Sequence, residues 1–181
     1  MKVRIDNILN YPYEDRMMVR EWRNHPLITS KFIIPNIDEE THKNWLKSME
    51  QKNPRNIAFF IIADNEKVGV NYFTSVDVNN LTAESGIFMN PDKIETHSGV
   101  ALVSVYLTLN YIFDIVGIKY VNARVLENNK KVVNFNKGLG FRVIDKMCRG
   151  KGESNILSLR LSDHEWFRKR SYIGELVEDH L

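Results

Sequence analysis

The apolar positions of this chain change period from segment to segment, and the changes mark its elements. Val121, Ala123 and Val125 alternate with Asn122 and Arg124 in the stretch that begins at Tyr120, as a half-buried strand does. Asn128-Asn129 is a good helix start, Lys130 to Lys137 reads as one short helix, and Gly138 and Gly140 stop it before Phe141 opens another strand. Upstream, Val3, Ile5 and Ile8 predict a first strand. Tyr13 to Asn24 predicts a helix with Asp15 as its cap and Met18 and Trp22 on one face. His25-Pro26 ends it, because the residue before proline avoids helical dihedrals. Leu27 to Pro35 is an apolar connecting segment, with a short helix as the alternative reading. Asp38 to Met49 predicts a second helix: Asp38, Glu39 and Glu40 in its first turn suit the dipole, and His42, Trp45, Leu46 and Met49 share a face.

Three strands follow in a run. Ile57 to Ala63 is almost wholly apolar and reads as central, Lys67 to Val76 carries Gly69 at a close approach or bulge, and Leu81 to Met89 completes the set. Asp64-Asn65 and Asn79-Asn80 are the turns between them. Ser98 to Val116 keeps helical spacing at Ala101, Leu102, Val105, Leu109, Ile112, Phe113 and Val116. Phe141 to Cys148 and Ile156 to Leu161 predict two more strands around a turn at Gly150 to Gly152. Asp163 to Leu181 reads as a charged, partly helical tail, solvated or packed on a neighbouring subunit. Consecutive strands favour antiparallel pairing, whereas strands on either side of the long helix favour a parallel crossover. The expected class is α/β (α+β), a mixed, mostly antiparallel seven-stranded sheet flanked by helices, in one domain over residues 1–181 with 163–181 as its tail.

Charge and composition narrow the partners. A net charge of +2 over 181 residues is too small to point to nucleic acid, and the basic aromatic run from Trp166 to Arg170 is short and followed by acidic residues. The single cysteine, Cys148, leaves no internal disulfide, and without a Cys/His metal spacing no metal is expected. Cys148 itself reads as a small apolar filler. Met1 to Asn10 lacks the apolar stretch of a signal peptide, and Val100 to Ile118 is interrupted by Ser104, Thr108, Asn110 and Asp114, so no membrane association is expected. The expectation is a cytoplasmic protein acting on a small molecule, for which a homodimer is a compatible assembly.

The candidate chemistry begins at the start of the long helix, in Thr96-His97-Ser98-Gly99-Val100-Ala101. Free N–H groups and the positive end of a dipole face outward there, Gly99 leaves room for a close approach and Ala101 is small, so a pyrophosphate can be cradled. Together with the strand end Gly86-Ile87-Phe88-Met89-Asn90-Pro91 and the later Asn129 and Gly140-Phe141, this resembles the acyl-CoA-binding half of the GNAT superfamily of N-acetyltransferases. The resemblance implies the GNAT fold and acetyl-CoA as cosubstrate. It lays the pantetheine arm along Ile87, Phe88 and Met89, sets the pyrophosphate at Thr96, Ser98, Gly99, Val100 and Ala101, and brings the thiol arm near Asn129 and Phe135. Thr96 stands where that family has Gln or Arg, and Val132 where it has Ala or Ser. Asn129 reads equally as a cap alone or as a cap that also touches the ligand.

Many members of the superfamily place a tyrosine four residues before the helix-ending glycine, where it protonates the departing thiolate. Asn136 stands there instead. An amide donates a hydrogen bond to a thiolate or an oxyanion but releases no proton at neutral pH. The resemblance then makes Glu84, on the strand facing the acyl group, the candidate base; the plain alternative is an exposed strand glutamate. Tyr72, Thr74 and Ser75 on the neighbouring strand are candidates for orienting the acceptor.

A second resemblance concerns that acceptor. Glu21-Trp22-Arg23-Asn24-His25-Pro26, with Thr41-His42 and Trp45-Leu46, is similar to the UDP-4-amino-sugar N-acetyltransferases of pseudaminic acid biosynthesis. The Trp-Arg-Asn segment also occurs in the group that acetylates ribosomal-protein N-termini, polyamines or aminoglycosides. The first likeness implies that Arg23 and His42 contact the nucleotide and that Thr74 and Phe88 line its pocket; a guanidinium suits a diphosphate. Without the resemblance, Arg23 is a cation at a helix C-terminus and His42 an imidazole in the core. The expected activity is acetyl transfer to the amine of a nucleotide-activated amino sugar. The alternatives are a protein N-terminus, polyamine or aminoglycoside acceptor, and a non-catalytic acyl-CoA-binding module.

Overall fold

Asp64 and Asn65 take left-handed backbone angles (φ 47° and 70°), and the two-residue turn they form folds β2 (Ile57–Ala63) onto β3 (Glu66–Asp77). This hairpin is the middle of the sheet in the computed structural model, which describes residues 1–34, 36–93 and 99–181. The other strands are β1 (Val3–Asn7), β4 (Thr82–Met89), β5 (Tyr120–Leu126), β6 (Arg142–Met147) and β7 (Ile156–Ser162). Their order is β1-β2-β3-β4-β5-β7-β6, and every neighbouring pair is antiparallel except β4–β5. The seven-stranded mixed sheet expected from the hydrophobic pattern is therefore present.

Alternation along β2 explains the two layers. Phe60 and Ile62 face a cluster with Val19 and Trp22 of α1 (Tyr13–Asn24) and Leu46 and Met49 of α3 (Glu39–Met49), with Ile28 of the short α2 (Pro26–Thr29) at its edge. Phe59 points the other way, into a cluster with Leu109 of α4 (Val100–Asn110), Val133 of α5 (Lys130–Leu139) and Trp166 of α6 (Asp163–Val177). Asp38 caps α3 by accepting from Thr41 N at 2.6 Å, and Asn129 caps α5 by accepting from Val132 N at 3.4 Å.

Several expectations are corrected. Ile8 leaves the first strand and enters a 3-10 turn (Ile8–Asn10), fully buried. Asp15 does not cap α1; it forms an ion pair with Lys67 at 2.7 Å. The long helix runs as an α-helix only to Asn110 and continues as a π-helical turn (Tyr111–Ile115), which directs the adjacent Ile112 and Phe113 into the core together. Cys148 is exposed rather than an apolar filler. The C-terminal segment is a helix packed on its own core rather than a solvated tail: Trp166 is 0% exposed, its indole Nε1 donates to Asn110 Oδ1 at 2.9 Å, and Ile173 and Val177 are buried. Charged residues outnumber these three anchors, which is why the segment reads as a tail in the sequence. Among the described residues no helix is long and apolar enough to cross a membrane.

Candidate active site

β4 and β5 pair for only three steps, Thr82–Glu84 with Tyr120–Asn122. Beyond Glu84 the two parallel strands part, and the β5-side edge of β4 from Gly86 to Met89 has no strand partner among the described residues. Ser85 Oγ donates to the Asn122 carbonyl at 3.3 Å at the apex of the opening. Backbone donors and acceptors in such an opening are free to bind an extended ligand.

The start of α4 shares a core with that edge, since Ile87 and Met89 pack against the cluster that holds Val100 and Val103. Gly99 caps α4 at φ 87°, a conformation that excludes most side chains, and a β-carbon built there would project into open space. Gly99 is exposed, Ala101 half-buried and Val100 buried beneath them. This end of the helix fits an anionic group approaching the backbone amides. Thr96 and Ser98, expected at the same place, lie outside the described residues.

Across the opening, Asn129 begins α5 and Phe135 packs, partly buried, against the core. Asn136 is 9% exposed, and its Nδ2 donates to the Val132 carbonyl one turn back at 2.9 Å. Its only amide donor in use is thus turned onto its own helix.

On the face covered by α1 and α3, cross-strand pairing sets Thr74 opposite Glu84 and Tyr72 opposite Gly86. Tyr72 lies flat over Gly86 and packs its ring edge-on to Trp45 (centroids 6.3 Å apart) and near Phe88 (6.1 Å). Phe32 meets Phe88 at 6.1 Å. Burial pushes the Tyr72 hydroxyl up to about 12; the charge of Glu84 adds to this, and Arg23 and Arg124 oppose it. The phenol is therefore neutral and stands among those three charges. A bulge after Thr74 leaves exposed Ser75 at φ 50°, a strained angle for a non-glycine residue at the rim of the site.

Glu84 is half-buried, and both of its carboxylate oxygens accept from Arg124 Nε, at 2.9 and 3.1 Å. Arg23 is 6% exposed, with its guanidinium 3.6 Å from the centre of the Phe32 ring and a hydrogen bond to the Ile34 carbonyl. Burial pulls its pKa down. His42 is turned away from this cluster: its Nε2 donates to the Arg16 carbonyl at 2.8 Å and ties α3 to α1. Burial also holds the His42 pKa below the ordinary imidazole value, with the Arg20 charge acting in the same sense and the Arg16 hydrogen bond opposing it.

The structure thus brings Glu84, Tyr72, Thr74, Phe88 and Arg23 to one mouth and leaves His42 in the helix interface. Arg124 and Phe32 belong to this mouth and are missed by sequence reasoning. Arg124 has the signal of a polar position on a half-buried strand, but nothing local says which residue of another strand it meets. Among the described residues no group of three metal-ligating side chains occurs.

Comparisons with known proteins bear on the family and the fold. A family profile described as acetyltransferase (GNAT) domain matches residues 8–142. Two curated relatives, each named acetyltransferase PseH, come from Campylobacter jejuni subsp. jejuni serotypes O:2 and O:23/36. They are 24% and 23% identical over 144 residues, which is 80% of this chain and 87% of theirs. Among solved structures, spermidine N-acetyltransferase from Vibrio cholerae in complex with CoA and spermine is similar with a TM-score of 0.78. It is 16% identical, and the match covers 92% of this chain and 98% of that one.

Proposed function

The chain belongs to the acetyltransferase (GNAT) family, and from that premise we propose that it acetylates the amine of a nucleotide-activated amino sugar, such as a UDP-4-amino-4,6-dideoxy sugar, with acetyl-CoA as cosubstrate. The observation that carries the acceptor class is the character of the mouth. Arg23 and Arg124 flank it, Phe32, Trp45, Tyr72 and Phe88 line it, and the carboxylate of Glu84 is already neutralised by Arg124. A polycation would meet guanidinium groups there, whereas flat aromatic walls and cations suit a base, a sugar and phosphates. The resemblance of Trp22-Arg23-Asn24-His25-Pro26 to the UDP-4-amino-sugar enzymes, and the PseH relatives, point the same way.

The cosubstrate reading rests on the parted β4 and β5 edge and the open Gly99 corner, and on the CoA bound to the similar spermidine enzyme. Ile87 to Met89 would hold the pantetheine arm, Gly99, Val100 and Ala101 the pyrophosphate, and Asn129 and Phe135 would stand by the thiol arm. The cosubstrate supplies the acyl group as a thioester. Glu84 takes the proton of the acceptor's ammonium, the freed amine attacks the thioester carbon, the C–S bond breaks, and the second proton that the nitrogen gives up on becoming the amide passes through water to the departing sulfur. Asn136, with its amide committed to Val132, holds the α5 wall in place and gives up no proton.

The test is a panel of nucleotide-linked amino sugars, spermidine and a peptide with a free N-terminus, read by release of free thiol from acetyl-CoA. Turnover of a nucleotide-linked sugar is expected. Turnover of spermidine or the peptide alone overturns the acceptor assignment.

A further inference from the structure

The apolar cluster beneath α1 and α3 draws on β2, β3 and β4, and the same face of β5 and β7 is left uncovered. On this strip Asn122 pairs with Arg160 and Arg124 with Ser158. Arg124 and Arg160 are therefore diagonal neighbours, a spacing of roughly 7–8 Å between α-carbons. Both are exposed.

The two guanidinium groups are held alike. Arg124 uses its Nε on Glu84, and Arg160 uses its Nε on Asn122 Oδ1 at 2.9 Å, with its guanidinium carbon 5.4 Å from the centre of the Tyr120 ring. In each the inner nitrogen anchors the group to the sheet. The terminal amino groups make no hydrogen bond to another described residue. Two guanidinium groups this close on one face of the sheet repel each other, and Glu84 is paired with Arg124 alone. A bound dianion removes that repulsion and engages both outer forks, a geometry guanidinium offers and ammonium does not. Arg23, stacked on Phe32 in the wall of the mouth, is 6% exposed, so a diphosphate arriving from solvent meets the exposed Arg124 and Arg160 first.

We propose that Arg124 and Arg160 form a cradle for the diphosphate of the acceptor, which lays the nucleotide along β5 and β7 and leaves the sugar amine at Glu84. This rests on the nucleotide-sugar reading above. The same phosphate chemistry could come from the cosubstrate, and the measurements separate the two. Isothermal titration of the full chain with UDP, in the absence of any CoA, is expected to show binding. Arg160→Gln weakens it about tenfold or more, Arg160→Lys less so, and Arg170→Gln, whose guanidinium pairs with Asp114 away from the strip, leaves it unchanged. In steady state Arg160→Gln raises KM for the nucleotide-linked sugar while kcat and KM for acetyl-CoA stay near wild type.

Arg160→Gln with wild-type UDP affinity and wild-type sugar KM, in an enzyme that still turns over the nucleotide sugar, overturns the cradle and leaves the acceptor class standing. A rise in KM for acetyl-CoA instead assigns the strip to the cosubstrate and likewise overturns it. Absence of both UDP binding and nucleotide-sugar turnover in the wild type overturns the acceptor class itself, and the cradle with it. Unaltered thermal midpoints in the variants show that folding is intact.

Discussion

Tyr72 lies so close over Gly86 that a β-carbon at position 86 would sit 2.2 Å from the phenol oxygen. Glycine at 86 is what allows an aromatic side chain on β3 to cross β4 at the point where β4 leaves β5. Gly86→Ala is expected to displace the ring and destabilise the fold by about 1–3 kcal/mol. Tyr72→Ala in the same chain should recover part of that loss, because the clash is gone. Urea unfolding of the two single variants and the double variant measures the coupling; strictly additive losses would show that the two residues do not constrain each other.

Glu84→Gln keeps the shape and a hydrogen bond to Arg124 but removes the proton acceptor. The expected loss in kcat is about a hundredfold or more. Loss of a general base changes how the rate depends on pH, so the two proteins are compared over a pH series. A pH–rate profile of the same shape in both proteins would remove Glu84 from the role of base.

His42 gives stability a pH dependence. Its native pKa lies below the unfolded value, because burial disfavours the imidazolium. Above the ordinary imidazole value both states are neutral and the group contributes no slope. As pH falls through that value the unfolded chain takes a proton that the native chain does not, so stability drops. The urea midpoint of the wild type should therefore decline between about pH 7 and 5 more steeply than that of His42→Gln. Parallel curves would show that His42 titrates alike in both states.

Trp166 fixes the C-terminal helix to α4. It is fully buried, meets Tyr106 at 5.9 Å between ring centroids and donates to Asn110. Trp166→Ala is expected to cost about 3–5 kcal/mol. Trp166→Phe should cost less, although it leaves the Asn110 carbonyl without its donor. Chemical denaturation checks the order; a loss within about 0.5 kcal/mol for Trp166→Ala, as for a surface substitution, would mean that α6 is not part of the cooperative fold.

Asn129 separates a capping role from a ligand contact. Asn129→Ser keeps a capping oxygen and should leave stability within a few tenths of a kcal/mol, whereas Asn129→Ala loses about 1 kcal/mol. If the side chain also touches the cosubstrate, the serine variant raises KM for acetyl-CoA even though it folds as well as the wild type. An unchanged KM would leave Asn129 as a cap alone.

Much of this protein was legible from short stretches of chain. The alternation in Val121 to Val125, the Asp64-Asn65 turn, the Asn129 cap and the Gly140 stop depend on neighbours within a few residues, and each appears in the structure where the pattern predicts it, whereas Asp38, expected in the first turn of its helix, caps it instead. The family resemblance, rather than a local pattern, singled out Glu84 on β4 and Tyr72 on β3. What only the tertiary structure decided is register and contact between distant segments. Glu84 meets Arg124 forty residues on, Tyr72 lies over Gly86, His42 turns to Arg16 rather than to the mouth, and Trp166 closes the core from a segment that reads as a tail. The physical reason is that strand pairing and burial are settled by the whole sheet. A one-residue change of register would carry Arg124 to the other face without altering any local pattern, so no local pattern could announce its partner.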